Sequence, residues 1–185
     1  DGDTSTNDMV SIMANGMAEN PVIDKEGADF DLFVAVVKEI CTSMAKKIAG
    51  DGEGATCLFE VKVVGAESKE QAVTLSKSVV MSTLTKAAIY GHDANWGRIL
   101  CAMGYSGAQF DPEKVDLYFE SSNGRLKIIE NGVATGYSEE EATKILTADA
   151  VTAICDMKQG DAEATAWGCD LTYDCLLYTS PSPRD

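Results

Sequence analysis

The sequence predicts an α/β fold, in which one domain is built from layers of sheet and helix. Three observations favour it: a helical repeat of apolar residues over 29–48, an alternating strand over 57–64 that precedes a second helical repeat, and a β-rich stretch after Pro112. A chain of 185 residues that is 45% hydrophobic and 24% charged also has the size and composition of a single globular domain.

The first quarter of the chain predicts a short helix and a long one. The long helix covers 29–48, because apolar residues recur there at helical spacing and Gly50 is placed to end it. Ahead of it, the polar run 1–8 has loop or capping character, and the apolar stretch 9–17 is predicted to follow that run as a short helix.

The middle of the chain predicts a strand and two further helices. Apolar and polar residues alternate over 57–64, and Gly65 ends this strand. Ser68 and Gln71 form a capping-box start, after which apolar positions fit one long helix over 72–88. A shorter helix is predicted over 96–103.

After Pro112 the pattern is mainly that of strands. Segments 115–120 and 126–130 are rich in β-forming residues, and Asn123-Gly124 between them predicts a hairpin turn. Ser138 and Glu141 cap a helix that runs to about 147, and segments 151–157 and 164–173 are predicted as two closing strands around a turn at Gly160.

The charge balance limits the classes of partner. The chain has 30 acidic and 15 basic residues, a formal charge of −15, and a field of this sign repels phosphate backbones and anionic lipid surfaces. No apolar run approaches the roughly 20 residues that cross a bilayer. We therefore expect neither a nucleic acid nor a membrane as partner.

The six cysteines lie far apart, form no CxxC pair and are accompanied by one histidine. This pattern does not predict a metal site. It is typical of reduced, buried thiols in a cytoplasmic protein.

Two motifs imitate binding loops. Asp1, Asp3 and Ser5 alternate like the first calcium ligands of an EF-hand, but Thr6 and Ile12 occupy the positions of its glycine and bidentate glutamate. The GDGEG run at 50–54 resembles a phosphate cradle, yet its glycines follow a helix and precede a strand, the reverse of the nucleotide-binding order. A tight helix-to-strand turn explains these glycines and leaves Glu53 without a structural role.

His92 is the only histidine, so any mechanism with a histidine base has to use it. It lies in the segment GHDANWGR, where Asp93, Asn95 and Arg98 equally fit the capping and salt-bridging groups of a helix amino terminus. Both interpretations of this segment remain open from the residues alone.

Four blocks in order resemble the ornithine acetyltransferase/glutamate N-acetyltransferase family of arginine biosynthesis. The blocks are DGDTSTND at 1–8 with ANG at 14–16, GDGEGAT at 50–56, GHDANWGRI at 91–99 with GYSG at 104–107, and ATAWGCDLTYD at 164–174. The chain departs from the family in two places, because Cys57 stands where many members have a basic residue and Ala94 stands where proline is common. The resemblance implies a layered sheet-and-helix sandwich of the self-processing ornithine acetyltransferase type.

The resemblance also implies a precursor that cleaves itself at an Ala-Thr bond into α and β chains. The freed amine lies beside the threonine hydroxyl and can activate it as a nucleophile. The threonine takes acetyl from N-acetylornithine and passes it to glutamate, and some members also use acetyl-CoA as donor, with no bound cofactor. The family's assembly is a dimer of αβ heterodimers in the cytoplasm, and the α chain supplies the oxyanion hole.

For this chain, the resemblance implies that Glu53 is the substrate-contacting glutamate, while Asp93, Asn95 and Arg98 are second-tier candidates. The nucleophilic threonine is expected upstream of Asp1, so no catalytic residue is expected in the chain itself. We interpret 1–174 as a β-chain domain truncated at both ends and 175–185, CLLYTSPSPRD, as a non-native tail without the family's substrate-contacting asparagine.

Two rival functions stay open at this point. One is an amidohydrolase or aminopeptidase of related self-processing architecture, which passes the acyl group to water. The other is a non-catalytic acidic binding module.

Overall fold

A computed structural model of the chain describes Gly2 and residues 7–179. In this part of the chain the helices are α1 (Ala28–Gly50), α2 (Lys69–Val80), α3 (Thr83–Tyr90), α4 (Trp96–Gly104), α5 (Glu139–Leu146) and α6 (Tyr173–Thr179). The strands are β1 (Leu58–Ala66), β2 (Asp116–Ser121), β3 (Gly124–Glu130), β4 (Val133–Ala134), β5 (Ala150–Asp156) and β6 (Ala162–Cys169). The predicted α/β class is confirmed.

The strands form one sheet in the order β4-β3-β2-β5-β1-β6. β1 pairs in parallel with β5 and antiparallel with β6, and β2 with β3 forms the hairpin predicted at 123–124. Leu58 lies opposite both Ala150 and Cys169. The turn that leads into β1 and the segment that leaves β6 therefore meet at the same end of the sheet.

The main core lies on one face of this sheet. Side chains alternate along a strand, and in β1 the residues Phe59, Val61 and Val63 are fully buried. They belong to one hydrophobic cluster with Leu75 of α2 and Ile145 of α5. Helices α3 and α4 pack against α2 and extend this layer.

The opposite face carries α1, whose carboxyl-terminal half packs on β1 and β6. Lys46 forms an ion pair with Glu60 at 3.0 Å and lies over the ring of Trp167, 5.6 Å from its centroid. The amino-terminal half of α1 is uncovered: Leu32 is 65% exposed and Phe33 is 59% exposed. None of the 23 residues of α1 is buried, although the helix is predicted from an apolar repeat.

The prediction of a short helix over 9–17 is wrong. Residues 8–16 have no regular secondary structure, and the side chains of Met9, Ile12 and Met13 are more than 80% exposed. A short helix in water depends on burial of its apolar face, and no other part of the described chain covers this segment.

The single helix predicted over 72–88 is divided into α2 and α3. Met81 caps the end of α2, and the Ser82 hydroxyl accepts a hydrogen bond from Thr85 N–H at 3.3 Å to begin α3. Serine favours a cap over a helix interior because its side chain competes for backbone donors. The apolar periodicity alone runs through this break and cannot locate it.

Both closing strands are confirmed, but β6 ends earlier than predicted. β5 and β6 are separated in the sheet by β1, and β6 ends at Cys169, whereas the prediction extended it to 173. The backbone leaves the ladder at Asp170 because the carboxylate of this residue binds the entry to β1. The two-residue strand β4 was not predicted.

The predicted boundary between domain and tail, after residue 174, falls inside α6. Cys175 is only 6% exposed and packs at the glycine turn described below. Whether the tail is native stays a prediction. No helix among the described residues combines the length and apolar character needed to cross a membrane.

A buried ionic network lies at the end of the sheet opposite the β1 entry. Asp116 is 4% exposed, and its carboxylate accepts hydrogen bonds from Lys158 Nζ at 2.5 Å, Asn131 N–H at 2.8 Å and Lys127 Nζ at 3.1 Å. Burial alone raises the pKa of this carboxyl, but the three donors outweigh burial and lower the pKa to about 2.

We expect Asp116 to stabilise the fold above pH 4 and to lose this effect as the pH falls towards 2. A carboxyl whose pKa drops on folding from 3.8 to about 2 contributes roughly 2 kcal/mol, present above the unfolded pKa and lost below the folded one. Urea unfolding of the full-length protein at pH 7, 4 and 3 measures the change. Asp116→Asn should remove this part of the pH dependence, whereas Asp111→Asn, at an exposed capping residue, should retain it.

Candidate active site

The glycine turn, residues 50–56, connects α1 to β1. Ala55 N–H donates to the Gly52 carbonyl at 2.9 Å, so the chain reverses over Glu53 and Gly54. Gly54 has φ +75°, a left-handed conformation that glycine adopts without a Cβ clash. The turn therefore presents Glu53 at its tip.

The segment that follows β6 holds this tip in place. Thr172 Oγ1 donates to the Gly54 carbonyl at 2.8 Å, and Cys175 Sγ donates to the Glu53 carbonyl at 2.9 Å. A Cβ on Gly54 would lie 2.6 Å from Asp174 Cβ. This close approach is a second reason, besides the left-handed backbone, why glycine is required at position 54.

The start of β1 is held by Asp170, which is 1% exposed. Its Oδ1 accepts from Thr56 N–H at 2.8 Å and from Cys57 N–H at 3.1 Å, and its Oδ2 accepts from Thr56 Oγ1. Asp170 N–H in turn donates to the Cys57 carbonyl at 3.1 Å. One segment, residues 170–175, thus contacts both the tip of the glycine turn and its exit into β1.

The Glu53 carboxylate itself is exposed and forms no ion pair or hydrogen bond with any described residue. Its backbone is held by two side chains while its charged group is unpaired. Such an arrangement suits recognition of a cation that comes from outside this part of the chain.

The second candidate segment, GHDANWGR, forms the connection between α3 and α4. Asn95 is the amino-terminal cap of α4: its Oδ1 accepts from Arg98 N–H at 3.3 Å, and its Nδ2 donates to Asp93 Oδ2 at 3.0 Å. The capping interpretation of Asn95 is therefore confirmed. The Arg98 side chain is exposed and has no salt bridge to a described residue.

His92 has φ 51° and lies directly after the end of α3, with its N–H donating to the Ile89 carbonyl at 3.0 Å. Histidine is among the residues that tolerate this left-handed conformation. No described serine or cysteine bonds to its imidazole, so the geometry offers no nucleophile for it to activate.

No contact joins Glu53 directly to Asp93, Asn95 or Arg98 among the described residues, but residues 170–175 contact both the glycine turn and α3, the helix that precedes the second segment. Leu171 N–H donates to the Lys86 carbonyl of α3 at 3.3 Å, and the Tyr90 and Tyr173 rings meet edge to face at 6.3 Å. The sequence predicts no site role for Asp170 or Thr172. Their position inside the fourth family block, directly after a strand, was the available signal.

The Cys57 thiol, which follows the glycine turn, is not activated as a nucleophile. Burial, and then the negative charge of Asp170, raise the pKa of Cys57 to about 11, so it is a protonated thiol at neutral pH. Burial likewise raises the pKa of Cys155 to about 12. No disulfide joins any of the six cysteines, and Cys41 and Cys101 are exposed, which corrects the expectation that all are buried.

Asp1, Asp3 and Ser5, which imitate calcium ligands, lie outside the described residues. Among the residues that the structure does describe, no group of three or more His, Cys, Asp or Glu side chains is arranged to hold a metal ion.

The chain is similar to known proteins over nearly its whole length. A sequence model of the ArgJ family matches residues 1–178. The arginine biosynthesis bifunctional protein ArgJ of Thermotoga neapolitana is 52% identical over 172 residues, and that of Caldanaerobacter subterraneus is 49% identical over 174 residues. These alignments cover 93% and 94% of this chain but only 43% of each relative.

A solved structure agrees with these matches. The crystal structure of arginine biosynthesis bifunctional protein ArgJ from Bacillus halodurans has a TM-score of 0.88 and 46% identity to this chain. The similarity covers 97% of this chain and 83% of the solved one. This chain spans less than half the length of the curated relatives, and on the extent and identity of these matches it belongs to the ArgJ family.

Proposed function

We propose that the full-length protein is an acetyltransferase of arginine biosynthesis, which moves acetyl from N-acetylornithine to glutamate, with acetyl-CoA as a further donor. This chain contributes the Glu53 wall of the site. The observation that carries the proposal is the exposed, unpaired Glu53 carboxylate on a turn whose backbone is held by the side chains of Thr172 and Cys175. The names of the relatives, bifunctional proteins of arginine biosynthesis, support the substrate class.

In this mechanism Glu53 binds a substrate ammonium group. A carboxylate forms a charge-assisted hydrogen bond with an ammonium, and a fixed turn orients the bound molecule before reaction. The acyl carbon of the acetylated amino acid is then held against a nucleophile supplied from outside the described residues.

The nucleophile is a threonine at the amino terminus of the β chain, upstream of the present Asp1. Its hydroxyl attacks the acetyl carbonyl while the terminal amine accepts the proton, and the C–N bond to ornithine breaks as the ornithine amine takes that proton. The glutamate amine then attacks the acetyl ester to form the new amide, the ester C–O bond breaks, and the proton lost by the glutamate amine passes through the terminal amine to the threonine oxygen. Donors from the α chain stabilise the negative oxygen in both steps.

The Ala-Thr pair inside the glycine turn is not the cleavage site. The backbone N–H and the hydroxyl of Thr56 both bond to buried Asp170, and the residue leads directly into β1. Cleavage before Thr56 would detach α1 from the sheet. The other Ala-Thr pairs end at Thr135, Thr143 and Thr165, and the first and last of them are in or beside strands.

The α chain of the same precursor is the proposed partner. The exposed apolar side chains of the first half of α1 lie on more than one side of the helix, a pattern typical of a helix that is covered by other protein. The matched stretch fills 83% of the solved relative but 43% of the curated ones, which supports a protein made of two chains. A dimer of αβ heterodimers in the cytoplasm completes the proposal.

The deciding experiment incubates the full-length protein with N-acetylornithine and glutamate and measures N-acetylglutamate and free acetate. Acetyltransfer predicts N-acetylglutamate in amounts equal to the ornithine released. Acetate release without N-acetylglutamate would identify an amidohydrolase, and neither product would favour a non-catalytic binding module.

A further inference from the structure

We propose that Asp170 is a positioning residue for acetyl transfer, which fixes the glycine turn so that the Glu53 carboxylate faces the substrate ammonium. This inference rests on the proposed function and adds a residue to it. Asp170 does not touch the substrate, because it is 1% exposed and lies behind the turn.

The bonding of Asp170 differs from that of an ordinary buried ion pair. Removing a carboxylate from water is costly unless charged or hydrogen-bonding partners compensate. Asp116, the other buried carboxylate, is compensated by the ammonium groups of Lys127 and Lys158. Among the described residues the Asp170 carboxylate pairs with no cation, and its hydrogen-bond donors all belong to Thr56 and Cys57.

Because all of its donors come from Thr56 and Cys57, the Asp170 carboxylate stabilises one conformation of the backbone at these two residues. Thr56 and Cys57 offer two backbone N–H groups and one hydroxyl to the same carboxylate, so any rotation of the backbone there breaks at least one bond. The carboxylate is thus satisfied only when the exit of the glycine turn has this conformation.

The turn is then fixed at two points, its tip and its exit. At the tip, Thr172 and Cys175 bond the carbonyls of Gly54 and Glu53. At the exit, Asp170 bonds residues three and four positions after Glu53. Without the exit contacts, the turn keeps only its tip contacts and can tilt about them, which displaces the Glu53 carboxylate.

The test is a double-mutant cycle between Asp170 and Glu53 in the full-length enzyme. Asp170→Ala should raise KM for N-acetylornithine about five- to tenfold and change kcat less than threefold, because binding through Glu53 is impaired. Combined with Glu53→Gln, it should add little to the effect of Glu53→Gln alone, since both changes disrupt the same contact. A purely structural residue would show additive effects instead.

Asp170→Asn tests the same geometry with a variant that is more readily folded. Its amide oxygen still accepts from the two N–H groups and its amide nitrogen donates to the Thr56 hydroxyl, so we expect most of the wild-type KM to be restored. Asp116→Ala is the matched control, because it removes an equally buried carboxylate at the opposite end of the sheet. It should lower stability, leave KM unchanged and act additively with Glu53→Gln.

The outcomes separate this inference from the function on which it rests. If Glu53→Gln raises KM but Asp170→Ala leaves it unchanged or acts additively, the positioning role of Asp170 is overturned. If Asp170→Ala does not fold, Thr56→Val takes its place in the cycle, because it removes the hydroxyl donor and keeps the Asp170 carboxylate. An unchanged KM in Thr56→Val, or an effect that adds fully to that of Glu53→Gln, overturns the positioning role equally. If Glu53→Gln leaves KM unchanged while acetyl transfer proceeds, both the site assignment and the positioning role fail.

Discussion

The 185-residue chain alone is expected to form no N-acetylglutamate from N-acetylornithine and glutamate. Its first residue is Asp1, so it presents no threonine whose hydroxyl lies beside a terminal amine. Without that amine a hydroxyl is a weak nucleophile at neutral pH. The assay compares the purified chain with the full-length enzyme at equal concentration, and any turnover by the chain above the uncatalysed rate contradicts the assignment of the nucleophile.

The proposed α-chain surface on α1 can be tested separately. Phe33→Asp in the full-length protein places a charge on the exposed half of α1, and we expect the α chain to be lost from the purified complex. Val133→Asp, at a similarly exposed residue of β4, should leave the complex intact. Retention of the α chain in the Phe33→Asp protein would place the α chain elsewhere.

The elements predicted correctly from sequence are those with local signals. The apolar repeat and Gly50 define α1, and Asn123-Gly124 defines the β2–β3 hairpin. Ser138 caps α5 as expected from its spacing to Glu141. In each case the information lies within a few residues of the element that it specifies.

The errors occur where distant residues decide the structure. The end of β6 at Cys169 depends on Asp170 binding residues 113 and 114 positions away in the sequence, which no local pattern reveals. The segment 9–17 has enough apolar residues for a helix, but nothing in the described chain covers it. The repeat over 72–88 also conceals the cap at Ser82.

The candidate site, like the fold, is predictable from the sequence only in part. Glu53 could be singled out because a carboxylate between two glycines has no local structural role, and the structure leaves it exposed and unpaired among the described residues. The hydrogen bonds that orient the turn around Glu53 come from Asp170, Thr172 and Cys175, which lie far from the turn in the sequence. A sequence pattern can therefore suggest the binding group but not the residues that aim it.

Glu53→Gln in the full-length enzyme is expected to raise KM for N-acetylornithine about tenfold or more, which corresponds to about 1.4 kcal/mol for one charge-assisted contact. The amide keeps the shape of the side chain and the turn, because the hydrogen bonds of Glu53 and Gly54 use backbone carbonyls. What is removed is the negative charge that is proposed to face the substrate ammonium. Steady-state kinetics at saturating glutamate measure the change.

Asp51→Asn is the matched control for this substitution. Asp51 is an exposed carboxylate two residues earlier in the same turn, so its replacement changes the local charge by the same amount without removing the proposed contact. A general electrostatic effect of the acidic surface predicts similar KM values for both variants, and this effect weakens with added salt. A direct contact predicts that only Glu53→Gln raises KM, because a hydrogen bond to the ammonium depends on which carboxylate the turn presents.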